Sequence, residues 1–198
     1  MLTRAQVQKC VFLDRDGVLV EDQGLLTKAE YIRILPGVPE ALALLHGAGF
    51  ALVVVSNQAV VARGLLSEAD LLTLQGAVES HLRAAGAPAL DGFYYCPHHP
   101  SATLAAYRLD CPCRKPRPGL LLRAAEELNL DLPASYMVGD RPTDLQAGHR
   151  SGCRSIWVQS GRHGDPPIES SDALDDGIAP AHVCDSLAAA AHWILEAR

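Results

Sequence analysis

Apolar positions along the chain fall into two alternating rhythms. Short runs rich in Val, Ile, Tyr and Phe at 9–13, 50–55, 92–95, 136–138 and 155–158 predict β-strands. Longer stretches between them carry a helical period. Pro36-Gly37 opens a helix whose apolar face is Val38, Ala41, Leu42 and Leu45, with Gly49 as its stop. Ser67 begins an N-cap pattern, S-E-A-D, ahead of a helix with Leu71, Leu74, Val78 and Leu82 on one side. Further helices are expected at 118–128, 143–150 and 187–197, and a polar, acidic surface loop from Gly161 to Pro180. Alternating strand and helix is the signature of an α/β fold, a central parallel sheet flanked by helices.

Length and composition narrow this picture. At 198 residues the chain suits one domain over 1–198 with modest insertions. With 48% hydrophobic and 20% charged residues it has enough apolar content to bury a core, which excludes intrinsic disorder. A net charge of −6 argues against nucleic acid or an anionic membrane as partner, so a small anionic ligand would need a local basic pocket. Met1 to Lys9 is polar and the apolar run 10–13 is too short for a signal or a span, which predicts a soluble, cytoplasmic protein.

In open α/β sheets ligands bind beyond the carboxyl ends of the strands, and polar residues collect there. Asp14 and Asp16 follow the first strand, Ser56 and Asn57 the second, and Asp140 follows Gly139, while Lys115 lies just ahead of the third helix. D-R-D-G alone is as readily a solvated acidic loop, but a strand-to-loop turn at Gly17 can aim both carboxylates at one point. Three carboxylates around a phosphate dianion would repel it unless a cation bound too. Magnesium suits an oxygen donor set, with Lys115 and the Ser56 hydroxyl left to hold phosphoryl oxygens. Asp144 reads equally as a metal partner or as a charge favoured at a helix N-terminus.

A second cluster lies in Y-C-P-H-H-P to C-P-C-R-K. Cys96-x-His98 and Cys111-x-Cys113, twelve residues apart, can surround one tetrahedral zinc. His99 rivals His98, and separate buried cysteines or a disulfide are the alternatives to a metal. Four protein ligands would leave no open position, so the zinc would be structural, and its loop leads directly into Arg114-Lys115. Cys10, Cys153 and Cys184 lie in or beside apolar strands, where core packing is expected.

The segments L-D-R-D-G-V, V-V-V-S-N-Q, C-R-K-P-R-P-G and M-V-G-D-R-P-T-D resemble the four motifs of haloacid-dehalogenase (HAD) phosphatases. The resemblance implies a Rossmann-like fold, with Asp14 as nucleophile and Asp16 as general acid and base. Ser56 and Lys115 would orient the phosphoryl group. Asp14, the backbone carbonyl of Asp16, and Asp140 would hold magnesium. The cysteine and histidine segments are similar to the zinc-containing branch of the superfamily, the heptose bisphosphate phosphatases of lipopolysaccharide core biosynthesis, and favour His98 as the fourth ligand. By that resemblance Asp22, Gln23, Gly24, Leu25, Asn57, Gln58, Ala59, Arg114 and Arg141 would contact a sugar bisphosphate, with Arg114 and Arg141 for the distal phosphate. Ser56 stands for the usual Thr, Ala59-Val60-Val61 for S-G-I, and Leu25 for a tyrosine. The short segment before Pro36 implies a minimal cap. A monomer is expected. Histidinol-phosphate phosphatase activity is the enzymatic rival and a phosphoacceptor receiver domain the non-enzymatic one; the placement of Asp16 argues against the latter.

Overall fold

A computed structural model describes residues 7–161 and 178–197. The expected strands form β1 (Cys10–Leu13), β2 (Ala51–Asn57), β3 (Gly92–Cys96), β4 (Tyr136–Gly139) and β5 (Arg154–Val158), and a further strand, β6 (His182–Cys184), completes the sheet. The order is β3-β2-β1-β4-β5-β6, with every pairing parallel. β6 lacks a strand pattern because it is three residues long and only half-buried on the sheet edge.

The helices are α1 (Val38–Gly47), α2 (Ala59–Ala62), α3 (Glu68–Ala84), α4 (Gly119–Leu128), α5 (Pro142–Ser151) and α6 (Leu187–Glu196). α2 escapes the periodicity because four residues hold one turn. Alternate residues of each central strand feed opposite cores. Val11, Leu13, Leu52 and Val54 join Leu42 and Leu45 of α1 and Ala190 and Ile194 of α6 on one face. Cys10, Phe12, Val53, Val55 and Met137 join Leu120, Leu121 and Ala124 of α4 and Ala147 of α5 on the other. Cys10 and Cys153 are buried there as expected, and Cys184 packs against the first core. This clamping from both faces is what fixes the strand ends as a rigid platform.

Two differences bear on the site. β2 runs on to Asn57, because Ser56 and Asn57 pair with Tyr95 and Cys96 of β3, so both polar residues belong to the strand itself. Between β1 and α1 the described chain contains only a 3-10 turn (Ala29–Tyr31) and the bridges of Val20 to Asp16 and Ile34, in keeping with a minimal cap. The expected surface loop lies largely outside the described residues, as does the polar start of the chain. Among the described residues no helix is long and apolar enough to cross a membrane.

Candidate active site

β1 and β4 lie side by side at the centre of the sheet, and the Asp14 N–H donates to the Val138 carbonyl at 3.0 Å. Asp14 and Asp140 therefore emerge together. Asp144, in the first turn of α5, folds back over Gly139, where a Cβ would lie 2.2 Å from the Asp144 Cβ, so only glycine fits. One carboxylate oxygen from each of Asp14, Asp140 and Asp144 lies within 4.8 Å of the other two, and all three residues are buried. Asp144 lies in this cluster, and its Oδ2 accepts from the Arg141 N–H at 3.1 Å at the start of α5.

Lys115 reaches the cluster from the loop ahead of α4. Its Nζ is 3.0 Å from Asp14 Oδ1 and 2.6 Å from Asp144 Oδ1, and donates to the Val55 carbonyl at 2.8 Å. Burial alone would pull the ammonium down, but the attraction of Asp14 and Asp144 outweighs it and holds the lysine charged. Asn57 anchors the lysine backbone, accepting from its N–H at 3.0 Å and donating to its carbonyl at 2.9 Å. Asp140 has no such relief. Neither of its buried oxygens has a hydrogen-bond partner, and burial, followed by repulsion from Asp144 and Asp14, pushes it up to about 8. Gly17 and Gly161 wall it closely: a Cβ would stand 2.3 Å and 1.8 Å, respectively, from its Oδ2. Buried oxygens of one sign with no partner are the donor set of a hard divalent cation such as magnesium.

Asp16 belongs to a second hydrogen-bonded network. Arg15, one of the most deeply buried side chains, brings Nε and Nη2 to the Asp16 oxygens at 2.8 to 3.2 Å. Gln58 accepts from Arg15 Nη2 at 2.9 Å, and its Nε2 donates to Asp16 at 3.1 Å and to the Ser56 hydroxyl at 2.9 Å. The Gln58 side chain is thus occupied within the protein. Arg15 was missed by sequence reasoning, because an arginine between two aspartates reads as a solvated charge.

The remaining candidates divide. Arg141 Nη2 pairs with Asp22 Oδ2 at 2.7 Å, and Asp22 also accepts from the Gly24 N–H at 2.8 Å, so two expected substrate contacts hold each other. Arg114 donates to the His98 carbonyl at 3.2 Å. Gln23 is exposed and turns to Glu21. Ala59 opens α2, and Leu25 packs on Val60, Val61 and Leu71. Leu25 and the Val60-Val61 part of Ala59-Val60-Val61, both departures from the family pattern, therefore meet in one apolar cluster.

Single ligand atoms of Cys96, His98, Cys111 and Cys113 also lie within 4.8 Å of one another. Cys96 Sγ is 3.8 Å from His98 Nδ1, and the Cys111 and Cys113 sulfurs are 2.7 Å apart, with all three cysteines free of disulfides. The neighbouring Cys96 and then burial push the Cys113 thiol well up, while burial raises Cys111. Three crowded thiols and an imidazole are a tetrahedral set that could hold zinc. His99 lies outside it, its Nδ1 accepting from the Ser101 N–H at 3.0 Å.

Residues 112–190 match the HAD-hydrolase-like family. Fold and site together define a HAD-like phosphatase. The D-glycero-beta-D-manno-heptose-1,7-bisphosphate 7-phosphatase of Photorhabdus laumondii is 46% identical over 137 residues, 69% of this chain and 72% of its own length. That of Escherichia coli K12 is 41% identical over 162 residues, 81% and 84% of the two chains. The crystal structure of the D,D-heptose 1,7-bisphosphate phosphatase from B. bronchiseptica, complexed with magnesium and phosphate, superposes with a TM-score of 0.79 at 32% identity, covering 96% of this chain and 99% of that one. The chain belongs to the heptose-1,7-bisphosphate 7-phosphatase family of HAD-like hydrolases.

Proposed function

We propose that the protein removes the 7-phosphate of D-glycero-β-D-manno-heptose 1,7-bisphosphate through an aspartyl-phosphate, as a cytoplasmic monomer supplying ADP-heptose for lipopolysaccharide core. The observation that carries this is the convergence of Asp14, Asp140, Asp144 and charged Lys115 at the strand ends, in a chain with these relatives. Asp14 attacks phosphorus, the bond from phosphorus to O7 breaks, and Asp16 gives its proton to the departing alkoxide. Asp16 then takes a proton from water, whose oxygen attacks phosphorus and frees Asp14 and inorganic phosphate. Lys115 and the Ser56 hydroxyl hold the non-bridging oxygens, and Asn57 keeps the Lys115 backbone in place. Held by Asp14, the Asp16 carbonyl and Asp140, magnesium would supply charge neutralisation for the phosphoryl group. Zinc on Cys96, His98, Cys111 and Cys113 would be structural. Arg114 and Arg141 anchor the distal phosphate, with Asp22 through Leu25 and Ala59 lining the sugar.

The test is kcat/KM for phosphate release from both anomers of the heptose bisphosphate and from histidinol phosphate. A preference of at least about tenfold for the β-anomer is expected, roughly 1.4 kcal/mol of transition-state discrimination. Faster turnover of histidinol phosphate would overturn the reading.

A further inference from the structure

We infer that Arg15 is the positioning residue of Asp16, holding its carboxylate at one orientation through both proton transfers. The inference rests on the acid and base role given to Asp16 above. Side chains at neighbouring positions in extended chain point to opposite sides, so Arg15 can grip Asp16 only because the backbone doubles back. The Arg15 carbonyl accepts from the N–H groups of Leu19 and Val20 at 2.9 and 3.1 Å, and Gly17, at φ +84°, donates to the Val20 carbonyl at 2.7 Å. The guanidinium then meets the carboxylate side-on through Nε and Nη2, the two-point geometry that a lysine cannot reproduce.

Gln58 ties this pair to the phosphate site. Its amide spans Arg15 Nη2, Asp16 Oδ2 and the Ser56 hydroxyl, so the end of β2 and the turn after β1 share one hydrogen-bonded frame. The Arg15 side chain is 1% exposed while that of Asp16 keeps 21%. The clamp is thus inside, and the acid it holds faces outward. Burying a guanidinium is costly unless it is paired: Nε and Nη2 pair with Asp16 and Gln58, while Nη1 is buried without a hydrogen-bond partner. An acid that protonates the leaving oxygen in one phosphoryl transfer and takes a proton from the attacking water in the next needs this restraint, because small misplacements of a proton donor cost large rate factors.

Leaving-group dependence separates positioning from folding. Expulsion of a sugar alkoxide needs the Asp16 proton, whereas p-nitrophenolate departs without one; hydrolysis of the aspartyl-phosphate needs Asp16 with either substrate. Arg15→Met should lower kcat on heptose bisphosphate by about 10²-fold with KM changed little, the loss typical of an impaired general acid. First-turnover release of p-nitrophenolate should fall far less, followed by slow steady-state turnover, seen as a burst. Arg15→Lys, which keeps the charge but not the fork, should show the same contrast at smaller size, and serves if the Met variant does not fold. Equal losses on both substrates in the first turnover, or no loss, would overturn the inference. Asp16→Asn run alongside keeps the two claims apart, since full activity in that variant would instead sink the acid and base role.

Discussion

Lys115 touches two carboxylates and a strand carbonyl at once, and each of those contacts is buried. Replacing it with Met leaves Asp14 and Asp144 facing each other unpaired, a change that destabilises by about 3–5 kcal/mol in buried pairs. Lys115→Met should therefore lower the melting temperature as well as abolish turnover, and a variant with unchanged melting would contradict the ion-pair account. Asp140 gives a pH signature. Its folded-state value of about 8 lies above the ordinary 3.8, so the metal-free folded protein holds a proton that the unfolded chain has released. Stability contributed by that proton is lost as pH rises toward about 8, and magnesium, which needs the carboxylate bare, gains affinity over the same window. Melting curves with and without magnesium between about pH 6 and pH 8 should show a stabilisation that grows with pH; one independent of pH would argue against a cation on Asp140. At this scale the sequence exposes residues whose type and strand-end position already suggest chemistry, such as Asp14, Lys115 and Asp140. It hides Arg15 and the Asp22–Arg141 pair, because whether a charge is buried depends on a backbone turn or on a partner 119 positions away.

Elements bring these residues together through their ends. β1 and β4 are neighbours despite 122 intervening residues, counted from Leu13 to Tyr136, a pairing that only sheet topology creates. The strand cores were readable because buried parallel strands are continuous apolar runs, whereas β6 and α2 are too short to carry a period. The Ser67 cap was readable too: its hydroxyl accepts from the Asp70 N–H at 3.1 Å, and the Asp70 carboxylate accepts from the Ser67 N–H at 3.0 Å. Ser67→Ala should cost about 1 kcal/mol of stability with kcat unchanged, measured by denaturant unfolding beside a phosphate assay. The loop between β3 and α4, with its proposed zinc set, makes a different prediction. Arg114 and Gly119 hydrogen-bond to the carbonyls of Cys111 and Pro112, so the loop and the Lys115 backbone form one unit, and Leu104 of the same loop donates to Ala62 of α2. Stripping zinc with a chelator should expose this loop to proteolysis and reduce turnover, with zinc but not magnesium restoring both. Retained activity in verifiably zinc-free protein would uncouple the two sites.

For the molecule as a whole, a net charge of −6 conceals a site in which acids and bases are sorted by position. The carboxylates gather where a cation can bind and Lys115 lies between them, while Arg114 and Arg141, the arginines proposed for the distal phosphate, would offset the charge of a bisphosphate in an acidic protein. Relatives and fold agree on the family, and the chemistry proposed for it reduces to one covalent event. Rapid mixing of the enzyme with heptose 1,7-bisphosphate, acid quenching within the first turnover and mass analysis of the peptides tests that event most directly. The account predicts a phosphoryl adduct on the peptide carrying Asp14, absent from Asp14→Asn. Full phosphate release by Asp14→Asn, or an adduct on any other residue, would contradict it.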